Sequence, residues 1–127
     1  LVDVTNFLLI GAGGFLGANC RYLVGGWVAD WLGPTFPFGT LVINVSGSFV
    51  IGLFLTLITE RISAPPELRL FFAIGFLGAY TTFSTYTFES LALIQAGAYL
   101  AAAANLLGSM GLGMVAVMLG AILGRLI

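Results

Sequence analysis

Residues 75–90, GFLGAYTTFSTYTFES, decide how this chain is read, because they set a hydroxyl-rich, glycine-flanked, aromatic sequence in the middle of an otherwise apolar segment. Five of the seven residues at 81–87 are serine or threonine. Inside lipid every backbone N–H and C=O needs a partner, so a polar interruption at membrane depth persists only where protein or a water-filled path surrounds it. In membrane proteins interruptions of this kind mark binding or conduction sites.

The surrounding composition agrees with a membrane setting. Apolar residues fill 60% of the 127 positions and charged residues only 7%, and the mean hydropathy is +1.13, far from the balance of a soluble domain. A chain of this length holds about four spans of ~20 residues. There is no histidine and a single cysteine, Cys20, which removes the commonest general base and leaves neither an intrachain disulfide nor a CxxC site. The acids Asp3, Asp30, Glu60, Glu67 and Glu89 are scattered, so hydrolytic or metal-dependent chemistry is not expected and the chain reads as no enzyme. Four arginines without lysine form no basic patch for nucleic acid. The N-terminal stretch lacks a cationic region before its apolar run and reads as the first span, not as a signal peptide.

The pattern predicts a single transmembrane domain over 1–127, all-α, with helices at about 5–28, 38–59, 68–96 and 98–125. Asp30, Gly33, Pro34 and Pro37 mark the first turn. A charged link with Pro65 and Pro66 separates helices two and three, with Ser63 or Ala64 as the expected helix start. Short links make sequential helices antiparallel neighbours.

Polar and small residues fall on defined faces. Gly13, Gly17 and Arg21 recur at spacing four on helix one, and Asn105, Ser109 and Gly113 do so on helix four, followed by Gly120 and Gly124. Such small-residue faces let membrane helices approach closely. For Asn105 and Ser109, packing and a functional role are both open. Thr40, Asn44, Gly47, Ser48 and Ile51 share a side of helix two; Asn44 is either interhelical glue, worth ~1 kcal/mol, or part of a polar site. The intramembrane charges are Arg21 and Glu89, and ionisable groups at such depth are functional candidates. Arg21 either serves a site or snorkels to the interface. Glu89 either accepts bonds from hydroxyls or backbone amides or binds a cationic substrate.

An interruption of helix three over 81–87 frees the preceding carbonyls for a hard cation, while the hydroxyls of Thr81, Thr82, Ser84 and Thr85 are donors suited to a small hard anion. Phe83 and Tyr86, three apart, share a face where the chain is helical, and the positive edge of an aromatic ring can meet an anion without a basic side chain.

GTLVINVSG at 39–47, GFLGAYTTFSTYTFE at 75–89 and GFLGANCRY at 14–22 within helix one together resemble the small fluoride channels of the Fluc (CrcB) family, over essentially the whole chain. The resemblance implies an antiparallel, dual-topology homodimer of four-span subunits, helix three broken near its middle, in the cell (inner or plasma) membrane. It implies passive fluoride export through two pores at the subunit interface, relieving fluoride toxicity. A structural Na+ at the dimer centre is implied on main-chain carbonyls matching Gly78 and Thr81. The family's pore phenylalanines match Phe83 and Tyr86, its helix-two asparagine Asn44 and its vestibule arginine Arg21; the polar track carries over to Ser84, Thr85 and Ser109, with Glu89, Thr40 and Asn105 beside it. Three residues depart from the family pattern: Tyr86 stands where phenylalanine is usual, and Asn105 and Gly113 stand where larger side chains are common. The alternative class, a small multidrug-resistance-type proton-coupled transporter, places a glutamate inside the first span, where this chain has Arg21 and no interior acid. A purely structural assembly protein is the third reading, on the glycine faces alone.

Overall fold

The computed structural model describes residues 2–127, and among them no strand forms. Helix α1 spans Val4–Leu32. It starts where the Asp3 carboxylate accepts the Thr5 N–H at 2.9 Å, satisfying one of the donors a helix start leaves free. It ends at Gly33, whose φ of 84° is open to glycine at little cost, with the Gly33 N–H closing on Ala29 O. Asp30 therefore lies inside the helix and not in the turn, because nothing before Gly33 breaks the hydrogen-bond ladder.

Helix α2 runs Phe38–Arg61, its last turn, Leu57–Arg61, being a wider π turn. Helix α3 covers 66–80 and begins with Pro65 as its cap and Pro66 as its first residue, so the cap falls one residue after Ala64 and two after Ser63. Proline suits that first position because its missing N–H has no helical acceptor there. Most of α3, Arg69–Leu77, is π-helical, and Gly78–Tyr80 closes it. Helix α4 spans Phe83–Gln95 and α5 spans Tyr99–Leu126. The helix expected over 68–96 is thus two helices, α3 and α4, parted at Thr81 and Thr82.

Two close pairings build the subunit: α1 against α3 and α2 against α5. Glycine makes both possible. A Cβ on Gly13 or Gly17 would strike the backbone of Phe71 or Phe76, and one on Gly52 or Gly120 would strike Val117 or Phe49 backbone. On the opposite side of the first contact, Gly75 sits against the backbone at Ile10 and Gly13. The small-residue faces of α1 and α5 are therefore packing faces, the exchange of dispersion contacts that holds helices together when lipid surrounds them.

The buried apolar set is small: Ile43, Ala73, Leu77, Tyr86, Ala102 and Ala116. Large apolar residues instead face outward along α1 and α5, among them Phe7, Phe15, Trp27, Leu107, Met110 and Met114. Exposed apolar surface on this scale belongs in lipid or against another chain. Three helices, Val4–Leu32, Phe38–Arg61 and Tyr99–Leu126, are long and apolar enough to cross a bilayer.

Candidate functional site

The break between α3 and α4 is only two residues long, Thr81 (φ −80°, ψ 157°) and Thr82 (φ −149°, ψ 120°), both extended. The wider interruption over 81–87 does not form, because every group needed to restart the helix is supplied at once. Thr82 caps α4, its Oγ1 accepting the Thr85 N–H at 3.2 Å. Asn44 of α2 satisfies both main-chain groups of the same residue: its Oδ1 accepts the Thr82 N–H at 2.8 Å and its Nδ2 donates to Thr82 O at 2.9 Å. A single side-chain amide thus gives the Thr82 N–H the acceptor it would have had in a continuous helix, and adds a donor to the carbonyl that opens α4.

The carbonyls that end α3 divide into two sets. Leu77 O accepts both the N–H and the hydroxyl of Thr81, at 3.1 and 3.0 Å. Ala79 O accepts Arg21 Nε at 3.0 Å, so the arginine caps a helix C-terminus whose partial negative charge favours a cation. Among the described residues no donor reaches Gly78 O or Thr81 O, and both residues line one cavity of about 320 Å3 together with Asn44, Ser48, Thr82 and Phe83. Oxygen atoms in that state are what a hard cation takes as ligands.

On the other side of Thr82 lies a larger open cavity, about 650 Å3, lined among others by Arg21, Thr40, Thr82, Thr85 and Glu89. Arg21 therefore turns inward to this cavity and to the break. Thr40 Oγ1 donates to Glu89 Oε1, joining α2 to α4 across its rim, which is the hydroxyl partnership left open for Glu89. Thr82 Oγ1 donates to Thr85 Oγ1 at 3.1 Å, leaving the Thr85 hydrogen for another acceptor. The Thr81 hydroxyl, expected as a free donor, is instead spent on Leu77 O. Ser84 is exposed at the start of α4, near the helix's first N–H groups, which have no acceptor within the helix.

Phe83 and Tyr86 lie side by side, ring centroids 5.7 Å apart at 45°, but in different surroundings. Phe83 is 76% exposed and Tyr86 only 6%. The Tyr86 hydroxyl donates to Leu106 O on α5 at 2.5 Å. Beside it a polar chain runs through the α4–α5 contact: Ser90 Oγ donates to Tyr86 O (2.8 Å), Asn105 Nδ2 to Ser90 Oγ (2.8 Å) and Ser109 Oγ to Asn105 Oδ1 (3.2 Å). Asn105 and Ser90 are each 2% exposed. Asn105 is hence a buried clasp between helices, whose polar atoms are satisfied as burial demands, and Ser109 is tied to it.

Tyr86→Phe is expected to keep the ring in place and lose one hydrogen bond, worth about 1 kcal/mol net. Transport should fall by less than about threefold, with a small drop in Tm; a loss beyond about tenfold in folded protein would assign the hydroxyl a required role.

Three contributors are not marked out by sequence: Ser46 and Tyr80 beside the break, and Ser90 in the α4–α5 contact. The Tyr80 hydroxyl meets Ser46 Oγ at 2.9 Å. A serine in an apolar helix reads as a small packing residue, and only the tertiary contact distinguishes it.

An all-helical chain with outward apolar faces, three helices long enough to cross a bilayer and a helix break held by a partner helix between two cavities has the architecture of an integral membrane protein. The chain belongs to the CrcB family: residues 8–121 match the family described as "CrcB-like protein, Camphor Resistance (CrcB)". It is 45% identical over 122 residues to the "Fluoride-specific ion channel FluC" of Rhizobium meliloti (strain 1021), covering 96% of this chain and 98% of the other. A protein of the same name from Solibacter usitatus (strain Ellin6076) is 48% identical over 119 residues, 94% and 98% of the two chains. That of Sulfurihydrogenibium sp. (strain YO3AOP1) is 40% identical over 121 residues, 95% and 98%.

Proposed function

We propose that this chain is a fluoride-selective channel that lets fluoride leave the cell down its electrochemical gradient, without ATP or proton coupling, and so lowers fluoride toxicity. The observation that carries the reading is the Asn44-held break, with a donor-rich helix start on one side and free carbonyls on the other, in a chain whose relatives bear the fluoride-channel name along their whole length. Fluoride is small and strongly hydrated, so a selective path must replace its water with fixed donors. The Thr85 and Ser84 hydroxyls, the second N–H of the Asn44 amide, the start of α4 and the Phe83 ring edge are the donors this chain offers. Arg21, at the larger cavity, adds positive charge that raises the local anion concentration. Thr40 and Glu89 lie at its rim, and Ser109 and Asn105 stiffen the α4–α5 wall behind Tyr86.

The working unit of this proposal is a homodimer of four-span subunits in the cell membrane, α3 and α4 together making the third crossing of one transmembrane domain. The exposure of Phe83 and Gly78 on the face that carries the break favours a second copy there. A Na+ ion fits the carbonyls of Gly78 and Thr81, which are oxygen ligands without competing donors. When bound it supplies fixed positive charge at the centre of a protein that has no lysine. No observation favours a proton-coupled transporter: α1 has no acid between Asp3 and Asp30.

Liposomes carrying the purified protein are expected to release loaded fluoride to a fluoride-selective electrode, and protein-free rates of release would remove the reading. Orientation is tested separately. Arg61, Arg69 and Arg125 fall on one side of a four-span subunit and Arg21 near the other, a mild bias by the positive-inside rule. Glu60 pairs with Arg125 at 3.0 Å, but acids weigh little in that rule. A single cysteine at the C-terminus, in a Cys20-free background, should label nearly equally from both faces of sealed cells; labelling from one face defeats the antiparallel dimer.

A further inference from the structure

Asn44 holds the break on one side only, at Thr82, and the other side is held by a residue pair with no assigned part in conduction. We propose that Tyr80 and Ser46 form a positioning pair that sets the carbonyls of Gly78 and Thr81 for a hard monovalent cation; this rests on the Na+ reading above.

Tyr80 is the last helical residue before the break. Its ring ends a ladder along α3 in which Phe72 and Phe76 stack at 5.4 Å and 3°, and Phe76 and Tyr80 at 6.0 Å and 9°. Phe54 of α2 closes the far end, 4.6 Å from Phe72. Residues four apart share a helix face, which lines these three rings up along α3. The ladder fixes where the Tyr80 ring lies but leaves its hydroxyl a choice of partner. Ser46 makes that choice. Ser46 Oγ lies 3.1 Å from Ile43 O, to which it gives its one hydrogen. Tyr80 must therefore be the donor in the 2.9 Å contact between the hydroxyls. The relay runs in one direction, from Tyr80 to Ser46 to the α2 backbone.

The same turn of α2 meets the break at three places. Asn44 holds Thr82, Ser46 holds Tyr80, and Gly47 leaves room for the Thr81 methyl, which a Cβ there would strike, as well as for the Tyr80 ring. Thr81 is thus clamped between two fixed neighbours. A trans peptide points its C=O opposite to its N–H, so the bond from the Thr82 N–H to Asn44 turns Thr81 O away from α2. Tyr80 fixes the preceding residue, which leaves the Thr81 carbonyl little freedom to swing. It also anchors the end of the Gly78–Tyr80 turn that carries Gly78 O. Gly78 and Thr81 both line the cavity beside Asn44.

The test is Tyr80→Phe, which keeps the ladder, Ser46→Ala, and the double variant, each measured two ways alongside wild type. The first readout is Tm of the purified protein in detergent against Na+ concentration; the second is fluoride efflux over the same Na+ range. Each single variant is expected to raise the Na+ concentration for half-maximal stabilisation about fivefold, the scale of one hydrogen bond, with maximal flux at saturating Na+ within about twofold of wild type. The double variant should shift no further than either single one, because both remove the same bond. Unchanged Na+ midpoints, or shifts that multiply in the double variant, overturn the pair's role, and so does a wild type whose Tm ignores Na+. A wild type stabilised by Na+ that passes no fluoride overturns conduction and leaves the pair's role to the Tm data. Unfolding of Tyr80→Phe is separated by Ser46→Ala, which leaves the ring ladder intact.

Discussion

Asn44→Asp is expected to reduce fluoride flux at least about a hundredfold while leaving assembled protein detectable. Two effects act together. The amide donates Nδ2–H to Thr82 O and accepts the Thr82 N–H; an ionised carboxylate keeps the acceptor and loses the donor, so Thr82 O exchanges a hydrogen-bond donor for a negative charge. On the proposed path that same charge stands beside the passing anion. Two unit charges 4 Å apart repel by about 4 kcal/mol at an effective dielectric constant of 20, and each 1.4 kcal/mol in a barrier is about tenfold in rate. The lost hydrogen bond adds about 1 kcal/mol to the instability of the break. Wild-type flux in Asn44→Asp, with the protein eluting as assembled species, would reduce Asn44 to a packing residue.

Phe83→Ile is the second large effect, and it separates packing from electrostatics. Phe83 is mostly exposed on the isolated subunit and touches Tyr86 at the start of α4. Isoleucine keeps much of the apolar volume, a kind of exchange that usually costs less than about 1.5 kcal/mol, but it has no ring edge to offer an anion. Flux is expected to fall by about tenfold or more with folding retained. Retained transport in well-folded Phe83→Ile would make the ring a packing element. The contrast with the mild Tyr86→Phe change matters, since that variant keeps both rings and loses only the bond to Leu106 O.

What could be read from the chain followed from how far each feature depends on its neighbours in sequence. The break was legible in GAYTTFST because clustered hydroxyls in an apolar run have no use facing lipid. The close faces of Gly13, Gly17 and Arg21 were legible from spacing four, and all three meet α3, the glycines through Phe71 and Phe76 and the arginine through Ala79. The length of the break was not legible. It shrinks to Thr81 and Thr82 because Asn44, 38 residues away, satisfies Thr82, and no local pattern encodes that. Nor could Thr81 be separated from Thr85 as a donor, since one hydroxyl returns to the preceding turn and the other faces the cavity. The parts played by Ser46, Tyr80 and Ser90 were not legible for the same reason: a hydroxyl acquires its partner from the helix packed against it. The π-helical stretch of α3 likewise depends on tertiary fit, with Gly75 pressed to α1 and the ring ladder on α2.

The proposed function rests on selective passage of fluoride through the path built around the break. Its most direct test is one set of liposomes containing the purified protein and loaded with equal fluoride and chloride, with efflux of each ion followed by its own electrode after valinomycin opens a potassium path. Rapid release of fluoride is expected, with chloride retained near the level of protein-free liposomes. Chloride leaving as readily as fluoride, or neither ion leaving, would contradict it.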